Sequence, residues 1–219
     1  MFFGVFDMNQ YKVWQNELIA KDIVERLNRR KYNAFYAPTL EDARKKVLEL
    51  IPEGSSIALG GSVTIEELGL IEIFRNGPYK LFDRYKQMTA EERIELMRQS
   101  LLADVLVTST NAITKNGELV NVDCSGNRVS AMIFGPKKVI IVAGVNKVVE
   151  DLDEAFRRLK KIAPMNSKRN NHKTPCVETG YCMDCQIKAR MCNYITIINH
   201  GMKFEGRINI VIVPFEMGF

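Results

Sequence analysis

Two stretches, Asp104–Thr108 (DVLVT) and Lys138–Ala143 (KVIIVA), are apolar along almost their whole length. A strand with one wet face alternates polar and apolar residues, so an unbroken apolar run must be buried on both sides. Covering both faces of a sheet takes helices. The chain supplies them. Residues 8–30 carry Val13, Ala20, Ile23, Val24 and Leu27 on one helical side, and a second stretch from Thr39 repeats Leu40, Ala43, Val47, Leu50 and Ile51. Tyr32–Tyr36, Ser56–Leu59 and Lys80–Asp83 read as further strands. Thr64 with Glu67, and Thr89 with Glu92, have the capping-box spacing that opens a helix. Asn116-Gly117 is a hairpin turn signal between two apolar runs. Asn127–Phe134 reads as a short helix.

The helix at 151–162 is the clearest, with Leu152, Ala155, Phe156, Leu159 and Ile162 in its stripe. Its acidic residues lead and its basic residues trail, as the helix dipole favours. After Pro164 the character changes. Residues 165–193 form a polar, cysteine-bearing loop without periodicity, and strands at Tyr194–Asn199 and Arg207–Val213 follow. The expected class is α/β, an open, mostly parallel sheet. Residues 1–30 form an N-terminal helical segment, and 31–219 the α/β domain that includes the loop.

At 219 residues the chain can bury one generous core. Its net charge of +5 is spread along the sequence without a basic block interleaved with aromatics, so no nucleic-acid partner is expected. The start, MFFGVFDMNQ, lacks a basic leader, and Asp7 interrupts it early. Its longest apolar runs fall short of a bilayer span, so no membrane association is expected and the chain reads as cytoplasmic.

In open α/β sheets ligands collect beyond the carboxyl ends of the strands. Gly60-Gly61-Ser62-Val63-Thr64 runs from a strand into a helix, and its glycines allow a ligand close to the backbone; a plain tight turn would look the same. Ser109, Thr110 and Asn111 follow DVLVT as ligand donors or simple turn-formers. Asn121–Arg128 is denser. Asp123 is a candidate general base, metal ligand or helix cap, and Arg128 pairs either with a substrate carboxylate or with Asp123. Asn127 sits between them. Asn146 and Lys147 end the last central strand, and Lys147 offers a point charge to an anion. Four such loops on one sheet edge favour a cleft for a small anionic metabolite.

Cys176, Cys182, Cys185 and Cys192 fall within one short stretch, whereas Cys124 stands alone. Cys182-Met183-Asp184-Cys185 is a bidentate knuckle suited to zinc or a 4Fe–4S cluster, although the outer spacings match no standard run. Free or disulfide-paired thiols remain the third reading. His172 is either a substitute ligand or a solvated loop residue.

The segments GGSVTIEELGL, LVTSTNAITKNGELVNVDCSGNRVSAMIFGPKKVIIVAGVNKVV and TPCVETGYCMDCQIKARMCN resemble the LUD domain family (DUF162), related to lactate utilisation protein C. The resemblance implies a fold like ribose-5-phosphate isomerase and the coenzyme A transferases, a Rossmann-like open, mostly parallel sheet. It also implies a subunit or accessory factor of organic-acid (L-lactate) oxidation, with iron–sulfur partner subunits. The family's usual VDGTGNR reads VDCSGNR here, placing Cys124 where glycine is expected. No glutamate sits in a transferase-like motif, and acyl transfer is not expected. The alternative reading is an electron-transfer or interaction module built on the Cys176–Cys192 loop. The sequence leaves a homo-oligomer open.

Overall fold

A computed structural model describes residues 9–219. The apolar start MFFGVFD, and Met8 at which the first helix is expected to begin, lie outside them. Six strands form one sheet: β1 (Asn33–Tyr36), β2 (Ser56–Leu59), β3 (Lys80–Phe82), β4 (Val105–Thr108), β7 (Lys138–Gly144) and β10 (Ile208–Val213). Their order is β1-β10-β7-β4-β2-β3, and every neighbouring pair is parallel. The class is therefore α/β with an open parallel sheet, as the apolar runs require. Alternation along β7 divides the core. Val139, Ile141 and Ala143 face one side, and Ile140 and Val142 face the other.

On the second side α2 (Leu40–Glu49), α3 (Val63–Glu67) and α4 (Leu70–Asn76) pack through Ala43, Val47, Ile65 and Phe74. On the first side lie α1 (Gln10–Arg29) and α6 (Asn127–Ile133). Ala20, Ile23 and Leu27 of α1 enter that same core.

The first side also holds a second sheet that the sequence reading did not separate. The expected hairpin forms as β5 (Ala112–Thr114) and β6 (Leu119–Asp123), turning where Gly117 has φ +90°. β8 (Val148–Val149) flanks it in parallel, and β9 (Tyr194–Ile198) pairs antiparallel with β6. The two closing strands thus go to different sheets. β10 is buried throughout, whereas Tyr194, Ile195 and Ile197 of β9 face solvent.

Three local expectations are corrected. The last long helix, α7 (Leu152–Arg169), runs straight through Pro164. An interior proline costs about 3 kcal/mol, but here Ile162, Ala163, Pro164 and Ser167 are all buried, and that packing holds the helix. Part of the polar loop beyond it is helical too, as α8 (Pro175–Thr179). The Thr64–Glu67 capping box does not form. Ser62 is the N-cap of α3 without a side-chain bond, and Thr64 is buried with its hydroxyl engaged elsewhere. The Thr89–Glu92 box does form, opening α5 (Ala90–Ser100), although that helix buries no residue and its Ile94 is exposed.

Candidate functional site

Because β7, β4, β2 and β3 are consecutive and parallel, the loops after them emerge side by side. They enclose a cleft of about 590 Å3. Gly60, Gly61, Ser62, Thr64, Ser109, Thr110, Asn111, Asp123, Asn127, Arg128 and Lys147 all line it. Asn146 does not. Its side chain accepts from the Met217 amide at 3.2 Å and donates to the Met217 carbonyl at 3.4 Å, anchoring the 217–218 segment instead. Gly60, just beyond β2, lies against the end of β4: a Cβ there would lie 2.1 Å from the Thr108 Oγ1. Gly61 has φ +62°, and the Arg84 guanidinium sits over it.

Asp123 and Arg128 are tied to each other. The Arg128 guanidinium lies 2.8 Å from an Asp123 oxygen, and both side chains are about nine-tenths buried. The other Asp123 oxygen accepts from the Arg128 and Val129 amides at 3.0 and 3.1 Å, capping α6. Arg128 also donates to Asn121, to Asn111 and to the Ser109 and Val122 carbonyls. This pair fastens three cleft loops together, and its donors are spent on protein acceptors. Cys124 takes no left-handed conformation there; Gly126, with φ +79°, supplies the turn.

Positive charge dominates what is left. Arg84, Arg93, Arg169 and Lys147 line the same cleft, in which Asp123 is the one acidic side chain among the described lining residues. Arg169 donates to the Gly61 carbonyl at 2.7 Å, and Arg93 to the Arg84 carbonyl at 3.2 Å. Burial, together with repulsion from Arg169 and Arg93, holds the Arg84 guanidinium below its ordinary pKa. Its side chain makes no hydrogen bond among the described residues. Cations gathered without counter-charge form a site that an anion would relieve.

Lys147 is buried, and its ammonium nitrogen lies 2.8 Å from Thr64 Oγ1 and 2.7 Å from Ser109 Oγ. Burial first, then Arg158 and Arg128, push its pKa down to about 7 despite an opposing contribution from Glu67.

The cysteine loop folds back to the cleft. His172, Met191 and Cys192 line it beside Cys124. Arg190 donates to the Cys192 and Cys185 carbonyls at 2.9 and 2.6 Å, and Thr174 Oγ1 lies 3.1 Å from the Cys176 sulfur. Burial raises the Cys192 thiol, and Cys182, Cys176 and Cys185 add to that rise. All five cysteines are unpaired, and no three His, Cys, Asp or Glu side chains among the described residues stand in a metal-ligating arrangement. The donor chemistry of the four thiols suits a soft metal, while their arrangement is not that of a closed site.

Sequence reasoning missed Arg84, Arg93 and Arg169. Arg84 had a usable signal, since it follows the end of a recognised strand on the productive edge. Arg169 was hidden by ending α7 too early.

The LUD domain family model matches residues 20–213. Among solved structures, the crystal structure of a DUF162 family protein from Deinococcus radiodurans is similar at 12% identity, covering 90% of this chain and 97% of that one, with a TM-score of 0.49. A comparison with curated proteins finds no match.

Proposed function

The chain belongs to the LUD domain family, and we propose that its cleft binds a small organic anion, the chain serving as a subunit or accessory factor of organic-acid oxidation. The observation that supports this most is the gathering of Arg84, Arg93, Arg169 and Lys147 around a cleft in which Asp123, the one acidic side chain among the described lining residues, is already paired with Arg128. Arg84 and Arg169 are the residues placed to receive a carboxylate or phosphate, since Arg128 has its donors occupied. A thermal-shift screen of hydroxy acids, oxo acids, sugar phosphates and acyl-coenzyme A esters tests the reading. A ligand at a hundredfold over its Kd should stabilise the protein by ~2.7 kcal/mol. No shift with any anion, at low salt, would sink it.

A second reading rests on the Cys192 thiol, which feels the other three and also faces the cleft. On this reading Cys176, Cys182, Cys185 and Cys192 hold zinc or a 4Fe–4S cluster. Metal analysis beside an ultraviolet–visible spectrum of anaerobically purified protein decides it. Fewer than one metal ion per ten chains would count against it.

A further inference from the structure

Two of the cleft's free cations meet at Gly61. Arg169 donates to the Gly61 carbonyl oxygen at 2.7 Å. The guanidinium carbon of Arg84 and its Nη1 lie 3.0 Å from where a Cβ of residue 61 would stand. Only glycine leaves room for that approach, and φ +62° calls for glycine independently. Arg93 joins the cluster by donating to the Arg84 carbonyl at 3.2 Å. None of the three arginines has an acidic partner among the described residues, and the Arg84 side chain makes no hydrogen bond there. The loop beneath them is under-bonded as well. The backbone amides of Gly61 and Ser62, and the Ser62 hydroxyl, have no partner among the described residues. Both residues line the cleft.

This end of the cleft therefore offers donors alone, and more of them than one carboxylate can use. A carboxylate is planar, carries a single charge and is satisfied by one bidentate guanidinium. A phosphate monoester carries about −1.5 to −2 at pH 7 and has three acceptor oxygens that do not share a plane with its phosphorus. It can accept from Arg84, from Arg169 and from the loop amides together. A cleft of about 590 Å3 also has room for a ligand much larger than a three-carbon acid.

We infer that Gly61, Ser62, Arg84 and Arg169 form a phosphate subsite, and that the cleft takes a phosphorylated metabolite rather than a bare hydroxy or oxo acid. The inference rests on the anion-binding reading above and names the class of anion. Arg84 and Arg169 hold the phosphoryl oxygens from the side-chain side, and the loop amides hold them from the backbone. Arg93 is a positioning residue, fixing the stretch of backbone that carries Arg84. The organic part of the ligand fills the remaining cleft.

Isothermal titration of the full chain at low salt tests this. The phosphate probes are inorganic phosphate, glycerol 3-phosphate and glucose 6-phosphate. They are compared with L-lactate, which has one carboxylate, and with succinate, which has two charges and no phosphoryl group. At least one phosphate ester should bind at least roughly tenfold tighter than either acid, and its phosphorus NMR resonance should shift on binding. Gly61→Ala drives a Cβ into Arg84 and should weaken that ester by at least roughly tenfold. Arg169→Gln, at an exposed side chain, should do the same with the melting temperature unchanged, and it decides the matter should Gly61→Ala fold poorly. Lactate or succinate binding as tightly as the esters overturns the phosphate subsite and leaves the anion cleft standing. Ester binding undiminished by Arg169→Gln also overturns the subsite. No binding of any anion overturns both readings.

Discussion

Replacing Lys147 with methionine should stabilise the protein at neutral pH and destabilise it in alkali. The native group titrates near 7 because it is buried among cations, whereas in the unfolded chain it returns to about 10.5. Between those values the unfolded state holds a proton that the folded state has shed, so native stability rises with pH across the window. Below pH 7 both states are protonated and the cost of the buried charge is constant; above 10.5 it vanishes. At about 1.4 kcal/mol per pH unit, the full difference sets an upper limit of about 5 kcal/mol. Methionine fills much of the same space but takes away the N–H donors of Thr64 and Ser109, worth roughly 1 kcal/mol each. The net expectation is about 2–3 kcal/mol of stabilisation at pH 6–7, turning into about 1–2 kcal/mol of destabilisation above pH 10. Urea midpoints of both proteins from pH 6 to 10.5 measure it, and taking the difference cancels titrations common to the two. A difference that is flat with pH, or that increasingly favours methionine as pH rises, would refute the reasoning.

Arg84→Gln should weaken anion binding by about 10- to 100-fold by calorimetry, and should leave the ligand-free protein no less stable, because a crowded cation is removed. Asp123→Ala strands the buried Arg128 and should cost about 3–5 kcal/mol in denaturant unfolding, whereas Asp123→Asn, which keeps an acceptor for the α6 cap, should cost less. Gly60→Ala forces a Cβ into Thr108; a loss of about 2 kcal/mol or more is expected, with reduced ligand response in the thermal-shift assay.

The parallel sheet was legible because DVLVT and KVIIVA leave no other burial. The strand-end rule then drew attention to Gly60–Thr64, Ser109–Asn111, Asp123–Arg128 and Lys147, which the fold brings around one cleft. What stayed hidden was pairing at long range. Nothing local in YITII distinguishes a strand that joins β6 from one that joins the main sheet, since the choice depends on which partner offers a free edge. Pro164 was misleading for a related reason. Proline's local preference ends a helix, while burial of Ala163 and Ser167 around it is a tertiary term. Asn146 was read with Lys147 as a cleft residue, yet its neighbours at Met217 and Gly218 lie far away in sequence.

The position of β10 has a consequence for how the chain can be made. Its residues come last among the strands, yet β1 has β10 as its strand partner, and β7 needs it on one edge. During synthesis at ~5–20 residues per second, β1 therefore waits roughly 10–35 s for its neighbour. Once made, β7 shows an open edge to other nascent chains for the roughly 3–14 s until β10 follows. β3, β2, β4 and β7 can pair as they are made, but the β1 side of the central sheet must wait for residues 208–213. Chains truncated before residue 208 should be captured by holdase chaperones or aggregate, and the full 219-residue chain should resist protease.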